Sequence, residues 1–105
     1  MAAQKPSGTV DFGYLEGFAA GDRQVVGEVL QLFLQQARLW TPGLEGANAG
    51  WADVVHTIKG AARGIGANAL GDVCQRVEGE GVQELAAVRA ALAAAVADVE
   101  AYLSA

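Results

Sequence analysis

The 105-residue chain has one cysteine, Cys74, and one histidine, His56. A single thiol excludes an intrachain disulfide and fits a reducing compartment. One His and one Cys cannot supply a standard zinc ligand set. Cations are also scarce: seven Lys and Arg stand against twelve Asp and Glu, a formal charge of −5. A chain so short of clustered cations is not built to neutralise a phosphate backbone or an anionic bilayer surface, so neither nucleic acid nor membrane is expected as a partner. No apolar run approaches the roughly 20 residues needed to cross a bilayer. Met1 to Val10 has no apolar h-region, so no secretory signal is expected and a cytoplasmic protein is. Aromatics number only seven, and β-branched runs are almost absent. What is abundant is alanine, interspersed with Leu and Val at helical intervals, a composition that favours helices around a narrow core.

Residues 1–10 read as a flexible leader and residues 11–105 as a single domain. Asp11 is placed to cap a short helix carrying Phe12, Leu15, Phe18 and Ala19, which Gly21 ends. Asp22 offers a second cap, followed by Val26, Val29, Phe33, Ala37 and Trp40 at intervals of three and four. Thr41-Pro42-Gly43 either kinks this helix or ends it, because proline lacks a donor and clashes with the preceding turn. A third helix is expected from Trp51 to about Gly64, with Gly64, Gly66 and Asn68 marking a tight connection. The fourth carries Leu70, Val73, Cys74 and Val77 on one face and stops near Gly79 to Gly81. On the last, Leu85, Val88, Leu92, Ala95, Val99 and Tyr102 form a heptad seam suited to left-handed bundle packing. The expected fold is all-α: an antiparallel four-helix bundle with a short N-terminal cover helix. Cys74 then reads as a small core residue, and Trp51, Trp40 and Phe33 as core packing at helix ends.

The third helix carries the only histidine. Advancing about 100° per residue from His56 places Trp51, Val54, Ile58, Ala61, Ala62 and Ile65 on the opposite side. Lys59, Gly60 and Arg63 fall within about 60° of His56 itself. A buried core histidine is therefore disfavoured, and the plainer alternative is a solvated histidine without a role. The neighbours argue against that alternative. A neutral imidazole is nucleophilic near physiological pH, and as a phosphoryl acceptor it needs a free ring nitrogen, a cation and room for a partner. Lys59 at i+3 supplies the cation, and Arg63 extends the positive strip one turn further. Gly60 and Gly64 leave the approach clear, although mid-helix glycine costs about 1 kcal/mol relative to alanine.

The stretch from His56 to Glu78, HTIKGAARGIGANALGDVCQRVE, resembles the histidine-containing phosphotransfer (HPt) domain family. Its pattern is a His, then x-x-Lys-Gly, a Gly about ten residues on, then a Leu, a Cys and an acidic or amide residue at helical spacing. His56, Lys59, Gly60, Gly66, Leu70, Cys74 and Glu78 fall in those positions. The resemblance implies phosphorylation of His56 at Nε2, stabilisation of the phosphohistidine by Lys59, and access for a receiver domain over Gly60. Glu78 matches a position whose side chain often bonds the other imidazole nitrogen; a solvated helix residue is the alternative. Ala61 and Ala62 stand where many members carry hydroxyl groups, so the resemblance does not carry over a supporting hydrogen bond there, while the acceptor is unaffected.

The expected function is that of a phosphorelay intermediate, taking a phosphoryl group from a phosphorylated receiver aspartate and passing it to a response-regulator receiver. The expected partners are receiver domains and a sensor (hybrid) histidine kinase. No cofactor is expected on this chain, with Mg²⁺ coming from the receiver. The chain has no glycine-rich nucleotide loop, so it is expected to be a carrier without autokinase activity. A monomer is the simplest expectation for a surface that must dock receivers. The competing reading is a helical adaptor that binds a signalling partner without phosphorylation.

Overall fold

In a computed structural model of the protein, which describes residues 9–45, 49–81 and 84–104, the first helix starts where an aspartate can cap it. Asp11 Oδ1 accepts from the Tyr14 amide at 3.2 Å, and α1 runs over Phe12–Phe18. Asp22 Oδ1 accepts from the Gln24 and Val25 amides at 3.1 and 3.2 Å and opens α2, Arg23–Trp40. Both carboxylates satisfy amides that a helix start leaves without partners. The α-helix ends at Trp40, and the chain continues as a 3₁₀ turn, Thr41–Leu44, with Pro42 in its first positions. Proline has no N–H to lose there, which resolves the choice between kink and end. The turn buries Leu44 completely, and Arg89 donates to its carbonyl at 2.6 Å. The remaining helices are α3, Trp51–Ile65; α4, Asn68–Glu80; and α5, Leu85–Ser104.

The break between α3 and α4 is set by Gly66, whose φ of +84° is the left-handed region. The Ala67 amide then reaches back to the Ala62 carbonyl at 2.8 Å in a Schellman-type ending. α3 and α4 form a tightly packed antiparallel pair, α5 packs on α4 and α2, and α2 closes the ring against α3. The result is a four-helix bundle. Its core is lined by Leu30, Val55, Ile58, Leu70, Val88 and Val99, among others, all fully buried. Val55 lies about 100° from His56 and outside the expected core arc; its burial shows that the core side of α3 is turned toward α4.

α1 covers one end of the bundle, packing on α2 and α3. Phe12 stacks on Tyr102 with ring centroids 4.3 Å apart, and the Tyr102 hydroxyl donates to Glu16. Asp11 N donates to the Gly66 carbonyl at 2.8 Å. The expected leader falls outside the described residues over 1–8, but its last member, Val10, is buried and donates to Asp98 Oδ2 at 3.1 Å. The packed domain therefore begins before residue 11. Asp98, the acceptor, is 4% exposed.

Candidate functional site

α3 presents His56 from its second turn, with 71% of the side chain accessible. The imidazole is anchored on one side only. Its Nδ1 lies 3.4 Å from Glu78 Oε2, a long contact from the last turns of α4. An ionised carboxylate can only accept, so this bond requires the proton on Nδ1 and leaves the Nε2 lone pair facing solvent. The other oxygen, Glu78 Oε1, is 2.7 Å from Lys59 Nζ. One carboxylate thus bridges the imidazole and the ammonium. The Lys59 hydrogen bond, with a smaller contribution from His56, holds the Glu78 carboxyl below the usual glutamate range. The bridge is accordingly intact at neutral pH and lost only as the pH falls through that lowered value.

Lys59 leans toward α4 and keeps 21% of its side chain exposed, against 29% for Glu78. The packing of α3 on α4 therefore assembles three of the expected site residues, His56, Lys59 and Glu78. Gly60 completes the set by what it omits: a Cβ built there would meet no atom within 4 Å, and the same holds at Gly64. Neither glycine is needed for helix packing, so the face beside the imidazole is open. Arg63 is placed differently. Its Nη2 donates to Gln75 Oε1 at 2.5 Å and lies 3.7 Å from Asp72 Oδ1, and no hydrogen bond or ion pair joins it to His56. The expected positive strip thus ends at Lys59, because the long Arg63 side chain folds across to α4. Cys74 is fully buried, and desolvation pushes its thiol up to about 11, so it is no nucleophile.

Beside this face lies a feature that single-helix patterning missed. Val29, Leu32, Phe33, Gln36 and Trp40 of α2 and Ala61 and Ile65 of α3 line a shallow, almost wholly apolar groove. Leu39 and Leu32 are exposed along its α2 margin, with Val25 in line with them at seven-residue spacing. That spacing was legible, but nothing in a lone helix tells a second apolar stripe from a wide core face. Among the described residues, no group of three or more His, Cys, Asp or Glu is placed to hold a metal ion, and no helix is long and apolar enough to cross a membrane.

A solvent-facing histidine with a lysine and a clear flank, on a rigid four-helix bundle, is the arrangement of a phosphotransfer module. The Hpt domain profile matches residues 28–102, and the chain belongs to that family. It is similar to the crystal structure of histidine phosphotransferase ShpA from Caulobacter crescentus, with 55% sequence identity over 91% of each chain and a TM-score of 0.84. No curated protein matches the chain.

Proposed function

We propose that this Hpt protein is a phosphorelay intermediate that carries a phosphoryl group on Nε2 of His56 between the receiver domains of two-component signalling partners. The observation that carries this reading is the one-sided anchoring of the imidazole: Nδ1 faces Glu78, and Nε2 is free above a surface cleared by Gly60 and Gly64. In the accepting direction, Nε2 attacks the phosphorus of a receiver aspartyl phosphate. An N–P bond forms as the acyl O–P bond breaks, and its electron pair stays on the aspartate carboxylate. Lys59 lies one turn from the incoming oxygens and can meet their charge. The Mg²⁺ such a transfer uses is assigned to the receiver and not to this chain. The group then leaves by the reverse chemistry to a second receiver.

Helices offer rigid placement but no cleft, and no glycine-rich nucleotide loop accompanies His56, so the chain acts as a carrier without autokinase activity. A partner with a concave active site must close over a convex helix, which the two glycines permit. The apolar groove between α2 and α3 extends the same face and supplies area that a receiver can bury. A monomer in the cytoplasm leaves that face free.

The test is incubation with a ³²P-labelled phosphorylated receiver domain. Acid-labile, alkali-stable label should pass to this chain within the receiver's lifetime; a chain that stays unlabelled would refute the relay. Docking is tested separately by Gly60→Gln. The added side chain projects from an open position, so helical content should hold or rise slightly, because glycine is the poorer helix former. Transfer from the receiver should nevertheless slow by on the order of 100-fold, since displacing the reacting atoms by an ångström is enough for that. Rates equal to wild type in stopped-flow transfer would remove Gly60 from the docking face.

A further inference from the structure

Glu78 holds two partners at once, and only one of them is the imidazole. Its Oε1 oxygen is 2.7 Å from Lys59 Nζ, closer than Oε2 is to His56 Nδ1 at 3.4 Å. Orientation of the ring alone would be served as well by a neutral amide, which also accepts from Nδ1–H. A carboxylate does something an amide cannot: it pairs with the nearest cation. Arg63, the other cation on this side of α3, is held by Gln75 and Asp72. With a neutral imidazole, Lys59 and Glu78 therefore sum to zero charge, and phosphorylation of Nε2 with Nδ1 still protonated, a dianionic group on a cationic ring, brings the cluster to −1. With an amide in place of the carboxylate it would be neutral.

We propose that Glu78 is a positioning residue that competes with the phosphoryl group for Lys59, and so keeps phospho-His56 unstable enough to give the group up again. The proposal rests on the phosphotransfer reading above and assigns this carboxylate the tuning of that site. An intermediate must donate as readily as it accepts. An unpaired lysine beside the phosphohistidine would favour the loaded form over both receivers, and the relay would become a sink. In the donating step the N–P bond breaks and its electron pair returns to Nε2. The new O–P bond forms on the receiver aspartate, and Nδ1 keeps its proton against Glu78. Glu78 favours this departure by holding the proton on Nδ1, so that the group leaves a cationic ring and a neutral imidazole is restored. Its pull on Lys59 acts in the same direction.

The magnitude follows from Coulomb attraction in a solvated setting. A unit charge about 6 Å from the net −1 of the phosphorylated ring in a water-like dielectric, reduced by physiological salt, changes an equilibrium by roughly two- to threefold. Glu78→Gln preserves side-chain length and helix propensity while removing the charge. The equilibrium constant for transfer from a phosphorylated receiver to His56 should therefore rise roughly two- to threefold in the variant. The half-life of phospho-His56, loaded chemically with phosphoramidate in the absence of any receiver, should lengthen in the same sense. Lys59→Ala should shorten that half-life, and in the Lys59→Ala background the gain from Glu78→Gln should shrink. ¹⁵N imidazole shifts should show the Nδ1–H tautomer retained in Glu78→Gln, because the amide still accepts.

An equilibrium constant and half-life unchanged or lowered by Glu78→Gln would overturn the proposal, as would a gain of equal size with and without Lys59. Should the receiver fail to label even wild type while the phosphoramidate half-lives differ as stated, the relay reading falls and the charge competition stands.

Discussion

Replacing His56 with glutamine should abolish transfer from a phosphorylated receiver and leave the bundle intact. The imidazole is mostly exposed and, among the described residues, its hydrogen bond is the long contact with Glu78, so the fold loses little with it. Glutamine is a better helix former than histidine, and surface substitutions of this kind usually shift stability by no more than about 0.5 kcal/mol. Circular dichroism and the unfolding midpoint should match wild type. The loss of function should be complete, because no second acceptor stands by. His56 is the only histidine in the chain, and the Cys74 thiol is buried and raised to about 11. A substituted chain that still takes up acid-labile label would place the acceptor elsewhere.

The largest structural effect is expected at Gly66, and a neighbouring glycine provides the control. Alanine at 66 must adopt a φ of +84°, which costs about 1–2 kcal/mol in the left-handed region. Its Cβ would also fall 2.5 Å from the backbone oxygen of Asp11. Backbone cannot swing aside as a side chain can, so the junction that seats α1 on the end of the bundle must open. A total loss of about 2–4 kcal/mol is expected, lowering the melting temperature by on the order of 10–20 °C. Alanine at Gly64, two residues earlier, meets nothing within 4 Å and sits in regular helix. There the same substitution should stabilise by about 0.5–1 kcal/mol. Urea unfolding of the two variants should move in opposite directions; equal shifts would mean that Gly66 is not conformationally required.

Much of this fold could be read from the chain because its punctuation is local. Asp11 and Asp22 cap helices through amides two and three residues away, and Gly66 ends one through its own φ. Such signals need no knowledge of the rest of the molecule. The spacing of Leu85, Val88, Leu92, Ala95 and Val99 likewise selects a buried seam, and all five are buried. His56 could be placed on the outer face of α3 because its own helix decides that face.

Where a second helix decides the outcome, the chain alone was less informative. Glu78 meets His56 across 22 residues, and the pairing depends on the register between α3 and α4. The resemblance to HPt domains pointed to Glu78; helix geometry could not. Arg63 shows the converse: a helical wheel gives the direction of its Cβ, while its guanidinium travels several ångströms further to Gln75 and Asp72. Asp98 gave no signal, because one group it accepts from is a backbone amide 88 residues away.

That last contact has a consequence for anyone trimming or grafting the domain. Loop-closure entropy grows only with the logarithm of length, so a bond joining Val10 to Asp98 is little harder to close than a much shorter one. Once closed, it ties the segment before α1 to the interior of α5. Cutting the protein at the start of its first helix would look harmless on a helix map, yet it would strip a donor from a carboxylate sealed inside the bundle.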